Sequence, residues 1–212
     1  IKGVHLGIYG SHEAGPWYAD GTAGFAVNEY RSRRVVAFPG FAGVAEGNYR
    51  GHQTTLMVTG GYRFALGAGW QGRAIGKLSQ HDVSTRGYAE SGAGIANLAV
   101  AGQQASVMRA GAGLGADYQA ERGRVSHQFS AKVLWMHDVR NTGAQSTAQF
   151  SGGTANGVFA ATGLVPARDA VTTQLAWTTR AGAQSSLTLA YDGEFRAGYH
   201  SHGLSVRLNW RF

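Results

Sequence analysis

Residues 203–212 read GLSVRLNWRF, and this stretch decides the fold. Leu204, Val206, Leu208, Trp210 and Phe212 alternate with Gly203, Ser205, Arg207, Asn209 and Arg211. One face is wholly apolar and the other wholly small or polar. A period of two marks a β-strand, whose successive side chains point to opposite faces. Working back from the end, Leu187, Leu189, Tyr191 and Phe195 alternate with Ser186, Thr188, Asp192 and Glu194. Before them, Val171, Leu175 and Trp177 alternate with Thr172, Gln174, Thr178 and Arg180.

The middle and the start repeat the pattern. Phe129, Ala131, Val133 and Trp135 oppose Gln128, Ser130 and Lys132, and Met108 to Tyr118 alternates with Arg109 to Asp117. Trp70 to His81 is the least regular stretch, with Ile75 on the polar side beside Arg73 and Lys77. Leu56, Val58, Tyr62 and Phe64 oppose Thr55, Thr59, Gly61 and Arg63. Trp17 to Val27 opposes Tyr18, Asp20, Thr22 and Asn28, and Val4, Leu6 and Ile8 oppose His5 and Tyr9. The count is about nine strands, each near the ~9–11 residues that cross a bilayer at a tilt.

Which face is buried separates the remaining fold classes. A soluble sandwich or lipocalin-like barrel also alternates, but its polar face is solvated and rich in Lys and Glu. Here the polar face is Gly, Ser, Thr and Asn with scattered Arg and Asp. Aromatic residues recur near strand ends (Trp17, Phe64, Trp70, Tyr118, Trp135, Phe195, Trp210, Phe212), as in interfacial girdles. The 33 Gly lack a triplet period, which excludes collagen, and 43% apolar residues exclude a disordered chain. With no Cys, disulfide scaffolds and thiol catalysis are excluded. No run is long and apolar enough for a transmembrane helix, and no signal peptide opens the sequence. The expected fold is an all-β, antiparallel, up-and-down transmembrane β-barrel occupying 1–212 as one domain.

Short turns are expected near Glu13–Gly15, Leu66–Gly69, Glu121–Arg124 and Ala181–Gln184. Long loops are expected near Arg31–Gly51, Val83–Gln104 and Arg140–Arg168, with a short final connection at Arg196–Ser201. This alternation is the outer-membrane pattern, with short turns on the periplasmic side. The basic trio Arg31, Arg33 and Arg34 reads as a solvated loop. Nine is an odd count, whereas single-chain bacterial barrels are even. The expectation is therefore that strands upstream of Ile1 complete the barrel.

The stretches LGIYGS (6–11), GPWYADGTAGFAVNEYRSRR (15–34), VVAFPGFAG (35–43), GGYRF (60–64), LAVAGQ (98–103) and the aromatic final strand together resemble the translocator (β) domain of classical monomeric autotransporters, which are type V secretion proteins. The resemblance implies a twelve-stranded barrel with a helix through its pore, of which this chain would hold the last nine strands. It also implies a role: anchoring in the bacterial outer membrane, with the C-terminus periplasmic, and secreting an N-terminal passenger. The implied partners are outer-membrane lipids, the barrel assembly machinery, and the chain's own passenger and linker helix. The final strand, Leu204, Val206, Leu208, Trp210 and Phe212, resembles the signal that this machinery reads. Physically, that reading is strand addition, with backbone hydrogen bonds at an edge and alternate side chains in apolar pockets.

The polar face is expected to line a lumen through Asp20, Arg63, Arg73, Lys77, Arg109, Asp117, Lys132, Arg180, Asp192, Glu194, Arg207 and Arg211, eight basic residues against four acidic. Charges cost less in a wet pore than against lipid. No enzyme is expected. The eight His are dispersed, and in His81–Asp82 and His137–Asp138 neighbours point to opposite faces of a strand. His200 and His202 share a face, but a metal needs further ligands. No GxSxG or P-loop motif occurs. The expectation is therefore no cofactor, no metal and no nucleic acid. The alternative function is a stand-alone porin or structural barrel passing small solutes through a basic lumen.

Overall fold

The computed structural model describes residues 1–152, 157–163, 165–182 and 184–210. Arg211 and Phe212 lie outside them. The strands are β1 (Lys2–Ala14), β2 (Trp17–Phe38), β3 (Phe41–Gly67), β4 (Trp70–Thr85), β5 (Tyr88–Ala89), β6 (Leu98–Val100), β7 (Gln103–Arg122), β8 (Val125–Asn141), β9 (Gln145–Phe150), β10 (Val158–Thr162), β11 (Asp169–Ala181), β12 (Ser185–Arg196) and β13 (Tyr199–Trp210). Nine of these form one antiparallel sheet in the order β1-β2-β3-β4-β7-β8-β11-β12-β13. They are the nine strands expected from the alternation. β1 and β13 are its two edges, and no pairing joins them among the described residues.

The sheet is curled. Arg73 of β4 reaches Ser130 of β8 across β7 at 3.2 Å. Arg109 of β7 reaches Glu194 of β12, past β8 and β11, at 3.3 Å. A single cavity is lined by residues from β2 through to β13. Such reach is possible only on the concave side of a half-barrel. The polar alternants face this concavity.

The convex face is apolar and uncovered: Leu114 is 65% exposed and Leu204 80%. In water that would be an aggregation surface, whereas against lipid tails it is the required one. The apolar band has a sharp upper limit. It ends on β2 between Val27 and Glu29, on β3 between Leu56 and Thr54, and on β4 between Leu78 and Gln80. By register these limits fall progressively nearer the short turns from β2 to β4, the stagger that tilted strands impose. The lower limit is an aromatic belt beside the short turns. Trp17 meets Tyr62 edge-on at 5.0 Å, Trp70 stacks on Tyr118 at 4.8 Å, and Phe129 links Tyr118 to Trp177 at 6.5 and 6.3 Å. Leu114 sits midway along the band. Leu114→Arg is expected to cost about 2–4 kcal/mol, the penalty for a charge on the lipid face near the midplane. Denaturant unfolding of the protein in lipid vesicles would measure it, and a neutral result would place this face away from lipid.

The short turns fall as the sequence places them, at Gly15–Pro16, Ala68–Gly69 and Gly123–Arg124, with Gly182 opening the fourth. The opposite end differs. Arg31–Gly51 is not a loop. β2 and β3 continue in unbroken register to Phe38↔Phe41 and turn at Pro39–Gly40, where Gly40 takes φ +84°. Outer-face side chains hold this extension together: Arg50–Glu29 at 2.7 Å, Arg33–Glu46 at 3.9 Å, and Arg31 to Asn48 at 3.3 Å. The residues between β4 and β7, and between β8 and β11, are not irregular loops either. They build a second sheet in the order β10-β9-β6-β5, with a 3-10 turn at Gly94–Ala96.

This small sheet seals an edge. Beyond β4, the free edge of β3 is taken up by Arg86 N–H donating to Arg50 O at 2.8 Å and by a reciprocal Glu46–Ser91 pair at 2.9 Å. An unpaired edge is an association hazard, and covering it is a common remedy. Tyr88 stacks on Tyr49 at 4.5 Å, and Tyr49 on Tyr30 at 4.9 Å. Arg34, expected in a solvated loop, lies on the inner face of β2. There its Nη2 donates to Glu90 at 2.6 Å and to the Ala96 carbonyl at 2.8 Å.

The Glu90 carboxyl is 4% exposed. Burial pushes its pKa up, but the Arg34 hydrogen bond, the Leu98 N–H and the Arg34 charge outweigh this and hold it below the ordinary glutamate value. A depressed folded-state pKa contributes stability above the unfolded value of about 4.3, lost as pH falls through the folded value. Acidification below the unfolded glutamate value is therefore expected to loosen residues 86–102, read as faster hydrogen exchange there than in β7. Arg34→Ala should produce the same loosening at neutral pH and remove its acid dependence.

Candidate functional site

The concave face holds a cavity of about 590 Å³. Of the residues expected to line a lumen, Asp20, Arg73, Lys77, Arg109, Lys132, Asp192 and Glu194 surround it. Arg63 and Asp117 join Arg73 around a second hollow beside the short turns. Arg180 and Arg207 share the same strand parity but sit exposed, Arg180 near the end of β11 and Arg207 on the edge strand β13. Arg211 lies outside the described residues.

The charges form three tiers. Near the short turns, Arg63 bonds Glu13 at 2.6 Å and lies over the Tyr18 ring at 4.7 Å, while Arg73 pairs with Asp117 at 2.6 Å. Near the opposite end, Asp138 accepts from Arg196 Nη1 at 2.9 Å and is ion-paired with Arg109, whose Nε lies 3.2 Å away. Glu194 ties the same two arginines together, at 2.6 Å to Arg196 and 3.3 Å to Arg109. Asn141 donates to Asp138 at 3.0 Å, and Arg196 Nη1 donates to the Ala167 carbonyl at 2.9 Å. This network fastens the segment entering β11 to the wall. Between these tiers stand Lys77 and Lys132, which have no ion-pair partner within 4.0 Å among the described residues.

Sequence reasoning missed several members. Glu13, Asp138 and Arg196 all have luminal parity, and extending the strands by a few residues at each end would have found them. The stretch KVLWMHD (132–138) carries apolar residues on both faces, so its alternation reads poorly. Leu134 and Met136 point inward, where they form a buried cluster with Ile75 and Ala170. Ile75, the apparent exception on β4, is 5% exposed and belongs to it. β7 makes room through Gly111 and Gly115. A Cβ at Gly111 would collide with Met136, and one at Gly115 would meet Ile75 Cδ1 at 3.2 Å.

The histidines behave as strand neighbours must. His137 turns outward to Asp169 at 2.9 Å while Asp138 turns inward. His202 accepts or donates with the Tyr191 hydroxyl at 2.7 Å, and its ring is 5.5 Å from His200. Among the described residues no group of three His, Cys, Asp or Glu is placed to hold a metal ion. Leu204, Val206, Leu208 and Trp210 project from the convex face of β13, 62–80% exposed, at a free edge of the sheet. Phe212, the last member expected, is outside the described residues.

An antiparallel sheet curled around a charged concavity, with an apolar band and aromatic belt outside, defines the class of outer-membrane β-barrel proteins. Within that class, residues 1–192 match the family described as Autotransporter beta-domain, and the chain belongs to it. No curated protein matches the chain. The family sets the location, the outer membrane, and a translocator role in type V secretion.

Proposed function

We propose that this domain carries its own N-terminal passenger to the cell surface, with the nine-stranded sheet anchored in the outer membrane and the short turns and C-terminus on the periplasmic side. The observation that supports it most is the pairing of a lipid-compatible convex face with a concavity lined by seven of the charged residues expected in a lumen. A polypeptide crossing a bilayer needs such a polar, water-filled path. Family membership gives that path its use. The domain performs no catalytic step and needs no cofactor, and folding and barrel assembly supply the driving force.

Among the described residues, the two free edges at β1 and β13 carry unpaired backbone groups that hydrocarbon does not tolerate. In the complete protein, further strands of the same chain close the sheet and a linker helix enters the lumen. β13 is the strand that the assembly machinery reads, by strand addition at its edge with Leu204, Val206, Leu208 and Trp210 as the alternate side chains.

The test uses the complete gene product in cells, with an epitope ahead of this domain. Protease added to intact cells should remove the epitope and leave the barrel. An epitope that stays protected while the barrel resists extraction would overturn translocation. It would favour the porin reading, to be followed by single-channel conductance.

A further inference from the structure

We propose that Lys77 and Lys132 form a luminal subsite for a carboxylate. The inference rests on the translocator reading only for where the lumen lies. Every other cation bordering the main cavity has an acidic partner: Arg73 has Asp117, and Arg109 shares Asp138 and Glu194 with Arg196. The two remaining aspartates of the cavity engage neutral groups. Asp192 accepts from Gln174 at 2.5 Å and Asp20 from Ser11 at 2.6 Å. Among the described residues the two lysines are left without a direct ion-pair partner in the middle of the wall.

Their setting suits a bound anion. Lys77 stands opposite Gly111 and Lys132 opposite Gly115, so one strand, β7, separates them. That is about 10 Å across the sheet and about 13 Å along it, within reach of two long side chains converging on one group. β7 puts no side chain of its own between them at Gly111, Gly113 and Gly115. The space against the wall is filled instead by Ile75, Leu134 and Met136. An apolar floor supplies no counter-charge and lowers the local dielectric, which strengthens attraction for an incoming anion. Arg109, diagonal to Lys77, adds an Nη2 that is buried without a hydrogen-bond partner. The ligand class is a carboxylate or similar small oxyanion. It comes either from solution or from an acidic side chain of polypeptide in the lumen.

The test compares the complete protein with Lys77→Gln/Lys132→Gln, after heat-modifiability establishes that both are folded barrels. In planar bilayers under a potassium chloride gradient, with and without acetate, a dissolved-anion site predicts an anion-preferring reversal potential. In the variant that preference should fall at least twofold. A site for polypeptide carboxylates predicts instead slower appearance of the passenger epitope on variant cells, partly restored by Lys77→Arg/Lys132→Arg, with ion preference unchanged. If neither ion preference nor exposure kinetics changes, the subsite is overturned. Failure of the translocator reading itself is separate, because the epitope would then be protected in the wild type.

Discussion

Asp138→Ala is expected to destabilise the barrel by about 3–5 kcal/mol, the cost of leaving a buried charge without its partner. Asp138 is 1% exposed, and the Arg196 side chain that it neutralises is 5% exposed. Removing the carboxylate strands one guanidinium and weakens the hold on Arg109, while Glu194 is left to serve both. It also frees Asn141, and with Arg196 released the Ala167 carbonyl loses its donor. The measurement is the denaturant midpoint of the complete protein in vesicles, with hydrogen exchange at residues 165–169 as a local readout. Asp138→Asn, which keeps hydrogen-bond capacity but not charge, should fall between. An unchanged midpoint for the alanine variant would mean that water already solvates Arg196.

Gly113→Val should be among the most damaging single changes at the described glycines, enough to prevent recovery of a heat-modifiable barrel. A Cβ at Gly113 would run into the Val133 carbonyl oxygen and come within 2.6 Å of Leu134 Cα. Both obstacles are backbone of the adjacent strand, so no rotamer change relieves the clash. β7 and β8 would have to separate, which breaks ladder hydrogen bonds in a setting where water does not replace them. The expected loss is above about 3 kcal/mol, in the range reserved for core overpacking and backbone strain. Gly21→Ala is the matched control. Nothing lies within 4 Å of its Cβ position, on the convex face of β2. That variant should insert normally. If both variants insert alike, the close approach of β7 to β8 is not a constraint.

The acid loosening of the Glu90 latch and the Leu114→Arg penalty test the two ends of the same molecule. One probes a charge sheltered beyond the bilayer and the other a charge forced into it.

The alternating residues of 203–210 and their counterparts upstream determined the strands, the two faces and the short turns. Period two is a local property: each residue's face follows from its neighbours two positions away, with no knowledge of the rest of the chain. The same locality explains the limits. Arg34 and Glu90 are 56 residues apart, Asp138 and Arg196 are 58, and Arg109 and Glu194 are 85. These pairs meet only because the sheet curls and folds its outer extensions inward.

The sheet of β5, β6, β9 and β10 reads as loop in the sequence because its strands are short and lack sustained alternation, being made by pairing across long separations. In the sequence Ile75 interrupts a polar face, and Leu134 and Met136 lie beyond the alternation read for their strand. They became a cluster once β7 supplied glycines beneath them. The sequence alone determined that this chain is a transmembrane β-sheet with an apolar outside and a charged inside. Tertiary structure decided which charges cancel and left Lys77 and Lys132 without an ion-pair partner among the described residues, because ion pairing depends on curvature and register across strands, and no single strand encodes either.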